Sequence, residues 1–492
     1  MNIKARKILF INPGGKQETY QELNRTLTAK EPPLWALLFA AYVRKFEVDT
    51  KVIDSNILNL NEEEVSVLAK EYQPSLICIP VYGHNPSAST QTMPAVRKLL
   101  ESLKAQGLEE ILLIGTHPAA LPERTLREEK IKYVCTGEGF VTLYDFIHEE
   151  QLSNIRGIAF LKEDKYLRTL PAPLLDNLDE NIPVPAWDLV PIEKYRCHNW
   201  HGFGGLDRSP YVSILTTLGC PYHCSFCNIQ APFREGEALN KNENNSYRYW
   251  SPAVIGEQLE ELSSKYKITN IKFMDEMFVL NKTHVIGICD EIIKRELKLN
   301  IWAYSRVDTV SDEVAKKLYK AGIRWICLGI ETPNEDIAVG ISKKTNSEKI
   351  EKAIEVLKNN NINIIGNFIF GLPDDNMERL ESTLNFSKKL KLDYVNFYCA
   401  MALPGSQLYQ ENIDRKEDWE KYGQLGFSTE PMATKDLSAA QILNFRDKAF
   451  HDFFKDPQYQ NYVREKFGQH SLDEIREMIK IPLKRKITSS EN

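Results

Sequence analysis

Cys220, Cys224 and Cys227 stand in the run Gly219-Cys220-Pro221-Tyr222-His223-Cys224-Ser225-Phe226-Cys227, and thiolates at this spacing can do two kinds of metal chemistry. Three of them on one short loop hold three irons of a cubane iron-sulfur cluster and leave the fourth iron open to a ligand. The other use is a zinc knuckle, with Cys224 and Cys227 as a C-x2-C pair and Cys220 or His223 completing the site. The chain has no second C-x2-C pair, which favours the cluster.

The elements that must position these thiols are legible around them. Residues 211–217 form a β-branched run that reads as a buried strand, and Gly219 gives the backbone its turn off the strand's end. The loop therefore sits at a strand's carboxyl end, where α/β enzymes keep their chemistry. Further strands are predicted at 270–273, 300–305, 325–329, 363–370 and 394–400, with amphipathic helical stretches between them. Six βα units are too few for an eight-stranded barrel, so the spacing predicts an open, partial (β/α)6 barrel over residues 211–405. Its strand ends carry Met274-Asp275-Glu276-Met277, Ser305-Arg306-Val307-Asp308, Gly329-Ile330-Glu331-Thr332 and the run from Gly366 to Pro373. Read blandly, Glu331 and Arg306 are structural ion-pair members, and Gly366 and Gly371 are turn glycines.

The cysteine run resembles the C-x3-C-x-aromatic-C signature of the radical S-adenosylmethionine (SAM) enzymes, with Phe226 in the aromatic place. That resemblance implies a 4Fe-4S cluster on Cys220, Cys224 and Cys227, whose open iron takes the amino and carboxylate groups of SAM. It also implies that Phe226, Asp275, Glu276, Arg306, Glu331 and Gly366 surround SAM. A cationic sulfonium ligand bearing a carboxylate, an amine and a diol calls for carboxylates, an arginine and close backbone approach at glycine.

Residues 1–150 alternate five short apolar strands with helices, the pattern of a flavodoxin-like or Rossmann-like doubly wound parallel sheet. Its strand-end loops, such as Asn12-Pro13-Gly14-Gly15, Tyr82-Gly83-His84, Gly115-Thr116-His117-Pro118 and Thr136-Gly137-Glu138-Gly139, would form a ligand crevice. Such a sheet ahead of a radical SAM barrel is similar to the cobalamin-binding radical SAM proteins, a resemblance covering about residues 1–400. It implies a cobalamin whose corrin and nucleotide tail are approached by backbone at Gly115, Gly137 and Gly139. The D-x-H-x-x-G run that supplies a cobalt-ligating His in other cobalamin domains is absent. Asp54-Ser55-Asn56 stands in the Asp's expected place without the His, which leaves the lower cobalt ligand open.

A net charge of -6 and a pI near 6.0 give no general attraction to phosphate backbones, so nucleic acid is a poor partner. The longest apolar run, 34–43, is too short for a membrane span, and the amino-terminal apolar stretch is too short for a secretion signal. Cytoplasm is therefore the expected compartment. The nine cysteines are an odd number, and Cys78, Cys289, Cys327 and Cys399 lie in apolar segments, which reads as free thiols. A proline-punctuated connector is expected over 151–210, and an amphipathic, charged helical region over 406–492. The segment from Cys197 to Gly204 has the residue types of a pocket wall or of a satisfied structural loop.

The resemblance implies a cobalamin-dependent radical SAM enzyme, a methyltransferase acting on an unactivated carbon of a small molecule, with an electron donor such as flavodoxin or ferredoxin. Two SAM molecules would serve each turnover, one methylating cobalamin and the other giving a 5′-deoxyadenosyl radical. The alternatives are rearrangement or oxidative cyclisation with the same cofactors, and a non-catalytic SAM or iron-sulfur sensor. A tRNA methylthiotransferase would need three further cluster cysteines in the first domain, where only Cys78 and Cys135 lie.

Overall fold

The computed structural model describes residues 5–82, 89–234, 245–412 and 418–489. Two sheets organise the chain. The first has seven strands, β1 (Lys7–Asn12), β2 (Asp49–Asp54), β3 (Leu76–Val81), β4 (Ile111–Gly115), β5 (Tyr133–Cys135), β6 (Ile158–Lys162) and β7 (Lys165–Arg168), in the order β2-β1-β3-β4-β5-β6-β7. β1 to β5 are parallel, in the flavodoxin-like order. β3 and β4 are buried along their whole length, as continuous apolar strands covered by helices on both faces must be. The apolar run at 34–43 lies in the helix Leu34–Arg44, which starts behind Pro32-Pro33 and buries all but its last residue.

β6 and β7 are an addition to the expected sheet. They form an antiparallel hairpin on β5, inside the segment read as connector. The turn is Glu163-Asp164, both with positive φ (50° and 60°), the backbone of a two-residue hairpin loop made without the usual Asn-Gly.

The second sheet has six parallel strands, β8 (Tyr211–Ile214), β11 (Asn270–Phe273), β12 (Asn300–Arg306), β13 (Ile323–Glu331), β14 (Asn363–Phe370) and β15 (Tyr394–Cys399). The spatial order is β15-β14-β13-β12-β11-β8, so each βα unit adds one neighbour and the sheet curls into a half-barrel. Its helices Pro252–Tyr266, Lys282–Lys294, Asp312–Lys320, Ser347–Asn359 and Met377–Lys389 all begin alike. Ser251, Asn281, Ser311, Asn346 and Asn376 each accept a hydrogen bond from the backbone N–H three residues on. The helices Ala439–Phe454, Pro457–Phe467 and Gln469–Lys480 follow, and Phe453 of the first of these packs on Phe397 of β15.

The first barrel strand is shorter than its β-branched run. β8 ends at Ile214, and the chain turns into β9 (Thr217–Gly219), paired antiparallel with β10 (Tyr247–Tyr249). The cause is Asp275, whose Oδ1 accepts from Thr216 N at 2.8 Å, from Thr217 Oγ1 at 2.8 Å and from Thr217 N. Strand pairing is exchanged there for a buried carboxylate.

Candidate functional site

β9 delivers the cysteine loop. Gly219 has φ +86°, and a side chain there would collide with the Ser246 carbonyl. The loop is then tied at several points: Gln230 Nε2 donates to Cys220 O at 2.6 Å and to Ser246 O at 3.1 Å, Asn228 Nδ2 to Pro404 O at 3.0 Å, and Ser225 N to Ile341 O at 3.3 Å. Cys220, Cys224 and Cys227 all line one cavity of about 600 Å³, together with Phe226, Glu276, Arg306 and Glu331. Burial pushes the Cys220 thiol up to about 12 and raises Cys224 and Cys227 as well; Lys343 and Arg306 partly oppose this at Cys224. These are neutral thiols that shed protons when metal binds.

Around them the strand ends present charge. Arg306 Nη1 lies 3.8 Å from Cys224 Sγ, its Nε and Nη2 donate to Asp308 at 2.9 and 3.0 Å, and its guanidinium covers the Tyr222 ring at 3.9 Å. Glu331 adopts φ +62° where the β13–β14 register shifts, an unusual backbone for a non-glycine residue. Its carboxylate pairs with buried Lys343, which also donates to Gly329 O at 2.8 Å. Burial raises the Glu276 carboxyl to about 8, and among the described residues its Oε1 has no hydrogen-bond partner. An orphaned buried oxygen beside three thiols fits a ligand that supplies a donor.

The other expected site residues lie outside the cavity lining. Asp275 does not line the cavity; it holds the strand switch described above and positions the loop. Gly366 packs against Leu392, Phe368 and Ile330, where a Cβ would stand 2.5 to 3.4 Å from each, and it is the neighbouring Asn367 that lines the cavity. Gly115 and Gly139 have positive φ, and their missing side chains make room for Val81 and for Ile114 and Phe39, so the sheet itself requires them. Gly137 is open, its nearest atom being Pro232 O at 3.8 Å from a built Cβ. None of these three glycines lines the cavity. Gly83 and His84 lie outside the described residues.

The first domain reaches the cavity by another route, through the segment between β1 and the helix Leu34–Arg44. Thr19, Tyr20, Leu23, Leu27, Thr28 and Glu31 line it. Glu31 Oε1 accepts from Lys272 Nζ of β11 at 3.1 Å and from Tyr211 Oη at 3.1 Å, and Lys272 lies over the Trp302 ring at 4.8 Å. A second bridge joins Glu138 to Arg248 of β10. His198 and Trp200 of the 197–204 segment also line the cavity, stacked on each other, with Trp200 against Trp302 and Trp325. Asp54 instead accepts from Asn12 Nδ2 at 2.8 Å and Tyr195 Oη at 2.9 Å, tying the connector to the sheet. His117 is buried, pairs with Thr90 Oγ1 at 3.1 Å and meets the Trp419 ring edge-on; burial lowers it to about 3, so it is neutral. The cover of the cavity includes Ile481, Pro482 and Leu483. Gln21 Nε2 donates to Leu425 O at 2.8 Å and Lys484 O at 3.1 Å, and Lys484 N donates to Gln21 Oε1 at 3.1 Å.

Lys272, Glu31 and Lys343 were not singled out in the sequence. A lysine inside the apolar strand Asn270–Phe273 was the one available signal.

The half-barrel and its cysteine loop define a radical SAM enzyme, and residues 214–387 match the model of the Radical SAM superfamily. Residues 22–147 match the B12 binding domain. The chain thus joins a B12-binding domain to a radical SAM domain and is similar to methyltransferases of that make-up, and its cofactors are a 4Fe-4S cluster, SAM and cobalamin. It is 29% identical over 483 residues to an uncharacterized methyltransferase of Pyrococcus horikoshii, covering 96% of each chain. It is 26% identical to the anaerobic magnesium-protoporphyrin IX monomethyl ester cyclase of Rubrivivax gelatinosus, covering 93% of this chain and 81% of that one. Its fold is similar to the radical SAM methyltransferase TsrM from Kitasatospora setae, solved with cobalamin and a 4Fe-4S cluster bound (TM-score 0.68, 15% identity, 97% and 100% of the chains). It is similar also to the cobalamin-dependent radical enzyme OxsB, solved with aqua-cobalamin and SAM bound (TM-score 0.68, 17% identity, 97% and 72% of the chains). Among the described residues no helix is long and apolar enough to cross a membrane.

Proposed function

We propose that the protein methylates an unactivated carbon of a small-molecule substrate. The observation that carries this reading is that the cysteine loop of the barrel and the 19–31 segment of the B12-binding domain line one and the same cavity. When bound there, the cluster, SAM and cobalamin supply radical generation and methyl-group carriage. The chain's own residues bind and orient. Cys220, Cys224 and Cys227 are the cluster ligands, each losing a proton to become a thiolate. Arg306, held by Asp308 and lying beside Cys224, offers its guanidinium to the SAM carboxylate. Glu331 and the protonated Glu276 offer an acceptor and a donor to the polar groups of SAM, and Phe226 supplies an apolar wall. Trp200, Trp302 and the Lys272–Glu31 ion pair exclude water from the floor, which protects reactive species from side reactions. An electron donor such as flavodoxin or ferredoxin completes the system.

The likeness to a ring-forming cyclase supports oxidative cyclisation as a second reading. The two separate in one experiment with anaerobically reconstituted protein, methyl-labelled SAM and candidate substrates. Methylation puts label in the product only when cobalamin is present. Unlabelled, ring-closed product would establish the second reading, and steady absence of SAM consumption with any substrate would point to a sensor.

A further inference from the structure

Part of the cavity wall is built by the carboxyl-terminal helices. The loop hangs from the β8 edge of the half-barrel, whereas the helix Ala439–Phe454 packs on β15, the opposite edge. Arg446 of this helix lines the cavity, and the residue is only 6% exposed. Its Nε donates to Phe397 O at 2.8 Å and its Nη1 to Asp447 Oδ1 at 2.7 Å. Asp447 is already committed elsewhere, because Arg485 donates to both of its oxygens at 2.8 and 2.9 Å. Among the described residues, Nη2 of Arg446 has no hydrogen-bond partner.

The wall around it is mostly apolar, formed by Phe397, Phe450, Met478, Ile481 and Leu483, with His451 and Gln424 as polar members besides Asp447. The guanidinium lines the cavity, where an acceptor on a ligand would gain a charge-assisted hydrogen bond from it. Each of these cavity-lining cations has an acid beside it, Lys272 with Glu31, Lys343 with Glu331, Arg306 with Asp308 and Arg446 with Asp447, but Asp447 is shared with a second arginine, Arg485.

We infer that Arg446 anchors a carboxylate on an otherwise apolar substrate, so that the substrate class is bulky hydrophobic acids. A monoanion suits the site better than a phosphate dianion, because Asp447 stands beside the same guanidinium and repels excess negative charge. The inference rests on the reading of this cavity as the place of reaction. It gives the carboxyl-terminal helices a role in substrate choice: Asp447 and Arg485 set the guanidinium plane, and the apolar wall takes the body of the acid.

The test uses the full-length protein loaded with cluster and cobalamin, with 1-pyrenebutyrate and neutral 1-pyrenebutanol as probes in equilibrium dialysis. The acid is expected to bind about tenfold more tightly than the alcohol, the effect of one charge-assisted hydrogen bond in a desolvated site. Arg446→Met is expected to remove that preference while the alcohol binds as before. Arg446→Gln, which keeps a donor for the Phe397 carbonyl, is the second variant should the first not fold. Equal affinity of the wild-type protein for the two probes overturns the assignment, and so does an undiminished preference in either folded variant. Iron content and SAM cleavage without substrate, measured on the same wild-type preparation, report on the radical SAM centre alone. A working centre with no acid preference sinks only this inference, and an acid preference on a centre that never cleaves SAM sinks only the proposed function.

Discussion

Lys272 and Glu31 form a 3.1 Å ion pair between the two domains, with side chains only 1% and 5% exposed. One comes from the middle of a barrel strand and the other from the segment before Pro32-Pro33, so this contact fixes how the B12-binding domain sits against the barrel floor. Removing one partner leaves a buried charge uncompensated, which costs about 3–5 kcal/mol. Lys272→Met is expected to lower the urea midpoint accordingly, and Glu31→Gln/Lys272→Met to recover most of the loss. A single variant as stable as the double would show that the pair does not hold the domains.

The cluster prediction concerns metal content. Reconstituted protein should be brown with about four irons per chain. The Cys220/Cys224/Cys227→Ala triple variant should hold near none. Stoichiometric zinc in place of iron would return the loop to the zinc reading.

Arg306→Ala and Glu331→Gln are expected to weaken SAM binding about tenfold or more and to slow its cleavage, while iron content stays unchanged. Glu331→Gln is chosen over Ala because it keeps an acceptor for buried Lys343. Unchanged SAM affinity in folded variants would make both residues structural ion-pair members.

Glu276 gives a pH signature in cluster-free protein. Its folded-state value is about 8 against 4.5 for the free side chain, raised by burial. Between those pH values the folded protein keeps a proton that the unfolded chain has released, so this group's contribution to stability falls as pH rises through the window and levels off above it. The wild-type protein should therefore lose stability relative to Glu276→Gln between pH 5.5 and 8, by at most about 1.4 kcal/mol per pH unit. Parallel urea titrations that do not diverge with pH would place the ionised form in the native state.

His117 tests the cobalt ligand. It is buried, neutral and engaged with Thr90 and Trp419, so His117→Ala should leave the cob(II)alamin electron paramagnetic resonance spectrum unchanged, with no nitrogen splitting from protein. Nitrogen splitting lost in that variant would establish His117 as the axial base.

Local features were legible in the sequence and distant ones were not. The cysteine spacing, the apolar strands and the Ser or Asn caps each lie within a few residues, so their meaning is carried by the chain itself. Asp275 looked like a cofactor residue because it ends a strand beside Glu276. Its actual partners, Thr216 and Thr217, are 59 and 58 positions away and meet it only when β8 and β11 pair. Glu31 and Lys272 are 241 positions apart, and no local pattern announces such a pair. Gly115 and Gly139 were recognised as special, but their purpose is room for Val81, Ile114 and Phe39 in the folded sheet. The β6–β7 hairpin was hidden because Glu-Asp replaces the glycine that marks such turns.

The seam between Gln21 and Lys484 joins positions 463 residues apart. During synthesis the B12-binding domain and the half-barrel leave the ribosome long before Lys484 does, and both sheets can form while that side of the cavity still lacks its cover. A large ligand thus meets a wider mouth on the nascent chain than on the finished protein.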